Sequence, residues 1–289
     1  MEQETKKIVY EKHYKLFTFI SISLLILASI YLLFNYMVTG EFFKKDISLT
    51  GGTTLTLYGN YEKAKIEPIV KKYADSYIIK YTRDIYSNKI VATIIEAKIN
   101  EEQAKNIVNE LKLNESDYSI ELTSPALGKN FFRQLITAII IAFVFMSIAV
   151  FIIFRTFVPS IAVILAALTD IIATLAIVDL LGISISTAGI AAFLMLLGYS
   201  VDTDIMLTTK VIKRREAPLP IRLKSALKTG LTMTLTSLIA MFIAFLFSTS
   251  GILKQIFLIL SIGLAVDIFA TWVGNISIIT WYVKKKYKE

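Results

Sequence analysis

Gly198-Tyr199-Ser200-Val201-Asp202-Thr203-Asp204-Ile205 closes a long apolar run and is followed by Lys210, Lys213, Arg214 and Arg215. Two carboxylates inside an apolar helix are expensive to keep in hydrocarbon, and ionisable residues in a membrane segment are functional-site hypotheses by default. The reading of this stretch decides the fold class, because it asks whether the run is membrane-embedded at all. Composition answers that. Hydrophobic residues make up 55% of the chain and charged residues 19%, with a mean hydropathy of +0.63. That exceeds ordinary soluble usage, and the apolar residues are gathered into long runs.

The first run, 16–38, follows Lys6, Lys7, Lys12 and Lys15. It is too long for a signal peptide, lacks an A-x-A-like cleavage site, and reaches across ~30 Å of hydrocarbon at ~1.5 Å per residue. We expect an uncleaved anchor behind a short cytoplasmic segment, 1–15. Residues 39–130 change character, and their acidic and basic residues balance. Strand patterns at Thr53–Tyr58, Ser76–Thr82, Lys89–Ile95 and Tyr118–Thr123 alternate with helical periodicity at Tyr61–Ala74 and Asn100–Lys112, and 84–88 forms a hairpin loop. Asn100 with Gln103 reads as a capping box. The order βαββαβ predicts a small α+β ferredoxin-like domain.

Five more apolar runs occupy 131–283, interrupted by a basic loop at 208–229, and a basic tail covers 284–289. The overall charge of +8 is concentrated in loops and tails beside the runs, which is the positive-inside pattern. Six spans then put both termini in the cytoplasm and the ferredoxin-like domain outside the cell membrane. The same placement argues against nucleic-acid binding, which concentrates basic residues on a folded domain. With no cysteine and only His13, a metal site built on those residues, a cofactor or an enzymatic centre is not expected.

Four acids in the spans, Asp170, Asp202, Asp204 and Asp267, are candidates for a proton or cation relay. By the ends of the apolar runs, Asp170 and Asp267 lie near mid-span, whereas Asp202 and Asp204 lie about 9–12 Å from the midpoint of theirs. Asp179 falls near an outer end and is expected at the interface. Asp202 and Asp204 are separated by about 200° around a helix, so only one can face a shared cavity. The other faces a neighbouring helix, water or a partner subunit. Polar faces accompany these acids: Asp267, Thr271, Gly274 and Asn275 on the sixth run, Thr229, Thr232 and Thr236 on the fifth, and Asp170 with Thr174 on the third. Small and hydroxyl residues also serve plain helix packing, and an acid near a span end can reach water. Thr203, Thr232, Thr236, Thr271 and Asn275 are therefore carried as supporting polar or packing residues.

Three motifs in this order resemble the SecF family: Asp46-Ile47-Ser48-Leu49-Thr50-Gly51-Gly52-Thr53 after the first span, Ala167-Leu168-Thr169-Asp170-Ile171-Ile172, and Gly198-Tyr199-Ser200-Val201-Asp202. The resemblance covers nearly the whole chain. It implies a six-span subunit of the resistance-nodulation-division superfamily that pairs with a SecD-like subunit about a pseudo-twofold axis. It further implies association with a SecYE-type translocon and work on a translocating polypeptide, in bacteria driven by the proton gradient. The bacterial pattern has Asn-Asp after Gly-Tyr-Ser-Leu and an Arg early in the fifth span. Those positions fall here on Asp202-Thr203 and near Thr232, so the Val-Asp-Thr-Asp form looks archaeal. Asp170 coincides with a third-span Asp of the family. The competing readings are a homodimeric transporter of small solutes or lipids and an inert scaffold for the outer domain.

Overall fold

The computed structural model describes residues 9–287, apart from 75–76, 85–86, 88 and 214–216. Lys6, Lys7, Ser76, Arg214, Arg215, Lys288 and part of the loop expected at 84–88 lie outside the described residues.

In chain order, α1 (Val9–Thr39) leads through the one-turn α2 (Ile47–Thr50) into β1 (Gly52–Tyr58), α3 (Lys63–Tyr73), β2 (Tyr77–Arg83), β3 (Ile90–Ala97), α4 (Glu101–Glu110) and β4 (Tyr118–Thr123). Long helices follow: α5 (Pro125–Phe154), α6 (Phe157–Leu180), α7 (Thr187–Thr208), α8 (Leu219–Phe247), α9 (Gly251–Phe269) and α10 (Ile276–Tyr287). α7 runs on as a π-helical segment, Thr209–Lys213, and another, Ala270–Asn275, joins α9 to α10. Among the described residues, six helical stretches are long and apolar enough to cross a membrane: His13–Thr39, Gly128–Phe154, Phe157–Leu180, Thr187–Lys213, Leu219–Phe247 and Gly251–Tyr287.

These spans form two tiers. In α6, α7 and the α9–α10 stretch more than half of the most apolar stretch is buried, whereas few residues of α1, α5 and α8 are. Phe193 and Leu196 of α7 pack on Ile259 and Leu260 of α9 and Val178 of α6. Gly263 makes that approach possible, because a Cβ there would collide with the Leu196 side chain.

The small domain is a four-stranded antiparallel sheet in the order β2-β3-β1-β4. Alternation in β1 and β3 turns Leu55, Leu57, Ile95 and Ala97 to one face, where Ile66 and Val70 of α3 and Ala104, Ile107 and Val108 of α4 cover them. Asn100 and Gln103 form the capping box that starts α4.

The linker between α1 and β1 is tied down on several sides. Ile185 donates its N–H to Lys44 and accepts from Asp46 N, at 2.8 and 3.0 Å. Thr187 N at the start of α7 donates to Ser48 Oγ at 3.2 Å. Asp179, expected at the interface, lies at the end of α6, is buried by the protein and accepts from Tyr31 Oη, Asn35 Nδ2 and Lys44 N at 2.8–3.0 Å. Gly51 (φ +80°) and Gly52 (φ +148°) hold backbone conformations that L side chains avoid, and a Cβ on Gly52 would come within 2.7 Å of Ala97 O.

On the helix-free face of the sheet, Lys80 bridges Asp46 at 3.1 Å and Glu96 at 2.5 Å. Burial works to raise the Asp46 carboxyl, but the Lys80 charge and the Ser48 and Lys80 donors outweigh it and hold the group below the ordinary aspartate range. Glu96 is raised, by burial first and then by the Asp46 charge. Burial lowers Lys80, yet the two carboxylates prevail and its pKa is raised. The contribution of Asp46 is therefore present above the ordinary aspartate pKa and is lost as pH falls through its depressed value. Glu96 has the opposite sign, since a raised group favours the fold below its unfolded pKa and loses that advantage as pH rises through the folded one. Lys80→Met is expected to destabilise the attachment of the sheet to the linker by about 1–3 kcal/mol, the cost of unpairing a half-exposed ion triad. Faster amide exchange of β2 and β3 at neutral pH would report it, and an unchanged exchange rate would refute it.

Candidate functional site

Asp170 lies in the middle of α6, flanked by alanine, isoleucine and threonine, and is 1% exposed. Its Oδ2 accepts a short hydrogen bond from Ser200 on α7. Asp204, one turn beyond Ser200, is fully buried. Its Oδ1 accepts from Thr271 at 3.0 Å and Asn275 at 2.5 Å, both on the π-helical segment after α9. Thr271 also lies 3.0 Å from Asp267 Oδ1, and the Asp267 side chain adjoins Asp170, Ser200 and Thr234 of α8. Three carboxyl groups from α6, α7 and α9 thus share one buried polar cluster. The wide π turn that carries Thr271 and Asn275 belongs to a type that often marks functional positions.

The cluster is rich in oxygens that have no donor. Asp170 Oδ1, Asp204 Oδ2 and Asp267 Oδ2 lack a hydrogen-bond partner among the described residues, as do Thr174 Oγ1 and Asn275 Oδ1. Ionised carboxylates only accept, so two carboxyl groups can bond to one another only when a proton lies between them. No lysine or arginine occurs in the central part of any span. Leaving several charges there uncompensated would cost several kcal/mol each. What the geometry can do chemically is hold and pass protons, or another small cation, among facing carboxyls.

Of the four acids, the structure brings Asp170, Asp204 and Asp267 together and leaves Asp202 outside, exposed. This is the division that the 200° spacing requires. The expected depth of Asp202 and Asp204 rests on an apolar run that ends at Leu207. The helix continues beyond the apolar run to Lys213, and Ser200 is level with Asp170 at the middle of α6. Asp202 is therefore about 3 Å along the helix axis from that level. A lone charge at mid-span carries a cost of about 2.5–3.5 kcal/mol.

The supporting residues divide too. Thr271 and Asn275 bind Asp204, and Thr203 meets Thr234 at 3.5 Å. Thr232 and Thr236 are exposed and donate to the Lys228 and Thr232 carbonyls of their own helix at 2.8 Å, so the fifth-span stripe faces away from the cluster. Gly274 faces α1, where a Cβ would collide with Ser21 Oγ, and it does not join the polar face expected around Asp267. The sequence marks Ser200 only as part of a motif and does not single out Thr234. The one signal for Thr234 is a threonine two residues off each neighbouring threonine, on the opposite face of α8.

Fold and cluster together define a polytopic membrane protein with a small α+β domain between its first two spans and a carboxyl cluster in its helical core. Residues 103–285 match the family model of the protein-export membrane protein SecD/SecF, C-terminal. The protein-export membrane protein SecF of Methanolacinia petrolearia is 35% identical over 266 residues, 91% of each chain. That of Methanocaldococcus jannaschii is 37% identical over 279 residues, 94% of this chain and 96% of its own. The crystal structure of SecDF, a translocon-associated membrane protein from Thermus thermophilus, superposes with a TM-score of 0.74 at 19% identity, covering all of this chain and 40% of that one. The chain belongs to the SecF family of protein-export membrane proteins.

Proposed function

We propose that this chain is the SecF-like half of a SecDF-type complex in the cell membrane, paired with a SecD-like subunit and assisting a polypeptide through a SecYE-type channel. The observation that carries this reading is the near full-length similarity to SecF proteins. The superposition on 40% of a SecDF chain agrees with it. The antiparallel order β2-β3-β1-β4 with both helices on one face supports a ferredoxin-like unit. Basic residues beside the α7–α8 connection and at the end of α10 support cytoplasmic termini and an outer position for the domain. Protons moving through the Asp170–Asp204–Asp267 cluster would couple the membrane gradient to export.

Purification of the tagged chain from its native membrane in mild detergent tests the assignment. Co-purification of a SecD-like subunit and channel components is the expected result. A stable homodimer alone would overturn it in favour of the standalone transporter.

A further inference from the structure

Asn275 is 1% exposed and stands between two environments. Its Nδ2 donates to Asp204 Oδ1, whereas its Oδ1 has no donor among the described residues. The same side chain lines a cavity of about 30 Å³ between α1, α6 and the π-helical segment, together with Ser21, Leu25, Ala166, Thr169 and Gly274. Gly274 lets α1 close this space, since a side chain there would strike Ser21 Oγ. The cavity lies to one side of the level of Asp170. On α6 it runs from Ala162 to Thr169, between Arg155 and Asp170. On α10 it reaches Ile278, ahead of Lys284, Lys285 and Lys286. On α1, Ser21 is ~9 Å along the helix from Lys15. All three walls therefore lead to basic helix ends, where Lys284 Nζ sits 5.9 Å from the centre of the Tyr14 ring.

We propose that this cavity is a water site, the inner end of an inlet between α1 and α6 through which the carboxyl cluster meets the aqueous phase on the basic, cytoplasmic side. The inference rests on the relay proposed above and adds a route to it. Size and chemistry select the occupant. One water needs about 10–15 Å³ of such space, so the cavity admits water and is too small for a lipid chain. A lipid chain also has no donor for Asn275 Oδ1. A buried water requires about two to four polar partners, and Asn275, Ser21 and Thr169 supply them. Thr169 donates to Leu165 O at 2.8 Å, and its oxygen keeps lone pairs for a further donor. An amide neither takes up nor releases a proton near neutral pH, so Asn275 positions rather than conducts. As placed here, its Nδ2 occupies the Asp204 oxygen that the water would otherwise reach. Turning the side chain opens that approach: the proton leaves Asp204 for the water and passes outward, and a carboxylate remains.

The absence of cysteine lets single introduced thiols report on water. Thiol reagents attack the thiolate, which apolar surroundings suppress. In inverted membrane vesicles, which present the cytoplasmic face, Ser21→Cys is expected to react with a small methanethiosulfonate at least tenfold faster than Phe19→Cys. Phe19 lies nearer the start of α1 but on its exposed outer face, so depth alone would favour the control. Equal rates overturn the inlet and assign the crevice to lipid. Ala166→Leu, combined with Ser21→Cys, fills the cavity and is expected to slow the reaction at least fivefold. An unchanged rate at unchanged melting temperature would also overturn the inlet. Export then separates inlet from relay. Ala166→Leu alone should slow export several-fold, and normal export with the thiol reaction blocked removes the inlet from the proton route. If asparagine at Asp170, Asp204 and Asp267 leaves export normal, the relay fails, and the thiol rates still decide whether water enters.

Discussion

A chain carrying Asp170→Asn is expected to support export about tenfold or more slowly than the unaltered chain while folding normally. Loss of a positioned proton-transfer group commonly costs at least that much. Asparagine keeps the shape of the side chain and one acceptor for Ser200, so that contact survives. Its amide would point a donor at the region where Asp267 Oδ2 lacks one. The pair would then be bonded without a mobile proton, and stability should be unchanged or slightly raised. Asp204→Asn and Asp267→Asn should slow export similarly, since the amide oxygen introduced by Asp204→Asn would still accept from Thr271 and Asn275. Ser200→Ala should have a smaller effect, because the carboxyls remain. Precursor accumulation in cells lacking the native copy measures export, and detergent melting separates a folding defect from a functional one. Normal export by all three asparagine variants would sink the relay.

Gly230→Ala is expected to be the most damaging single-methyl addition in the bundle. A Cβ at Gly230 would overlap Trp272 Cζ2 and lie 2.8 Å from Met206 Cε. Met206 is flexible, but Trp272 is 3% exposed and packs among Leu207, Leu223, Ile276 and Ile279. The indole has nowhere to go unless α8 moves away from α7 and from the π-helical segment. Overpacking of this kind costs about 3 kcal/mol, read as a fall of roughly 5–10 °C in melting temperature for a chain of this size. Gly198→Ala, where an added Cβ meets nothing within 4 Å, is the matched control. Equal melting of the two variants would mean that the α7–α8 approach is looser than these distances require.

Much of this architecture was legible in the chain because the signals are local. Long apolar runs require spans, and period-2 alternation in Thr53–Tyr58 required a strand with one buried face. The separation of Asp202 from Asp204 followed from helix geometry alone. The full length of the α7 helix did not, because an apolar run ends at its last apolar residue. A helix continues for as long as its polar side chains can bend toward water, as Lys210 and Lys213 allow beyond Leu207. The orientation of α8 was also beyond reach: threonines lie on both of its faces, and only packing against Thr203 selects Thr234 over Thr232 and Thr236. The partners of Asp179 are more than a hundred positions distant in the chain, and no periodicity encodes such a pairing.

The tethering of the linker to the start of α7 has a mechanical consequence. One end of α7 is fastened through Ser48 and the Ile185 bridge to the segment that enters the sheet. Some 26 Å along the same unbroken helix, at ~1.5 Å per residue from Thr187 to Asp204, its backbone carries a carboxyl of the cluster. An α-helix is stiff along its axis, so axial displacement of the small domain cannot be absorbed between those points. It either shifts Asp204 against Thr271 and Asn275 or breaks the tether. α7 is in that sense a push-rod, and the length of the stroke is set by how far the Asp204 hydrogen bonds can stretch before they exchange partners.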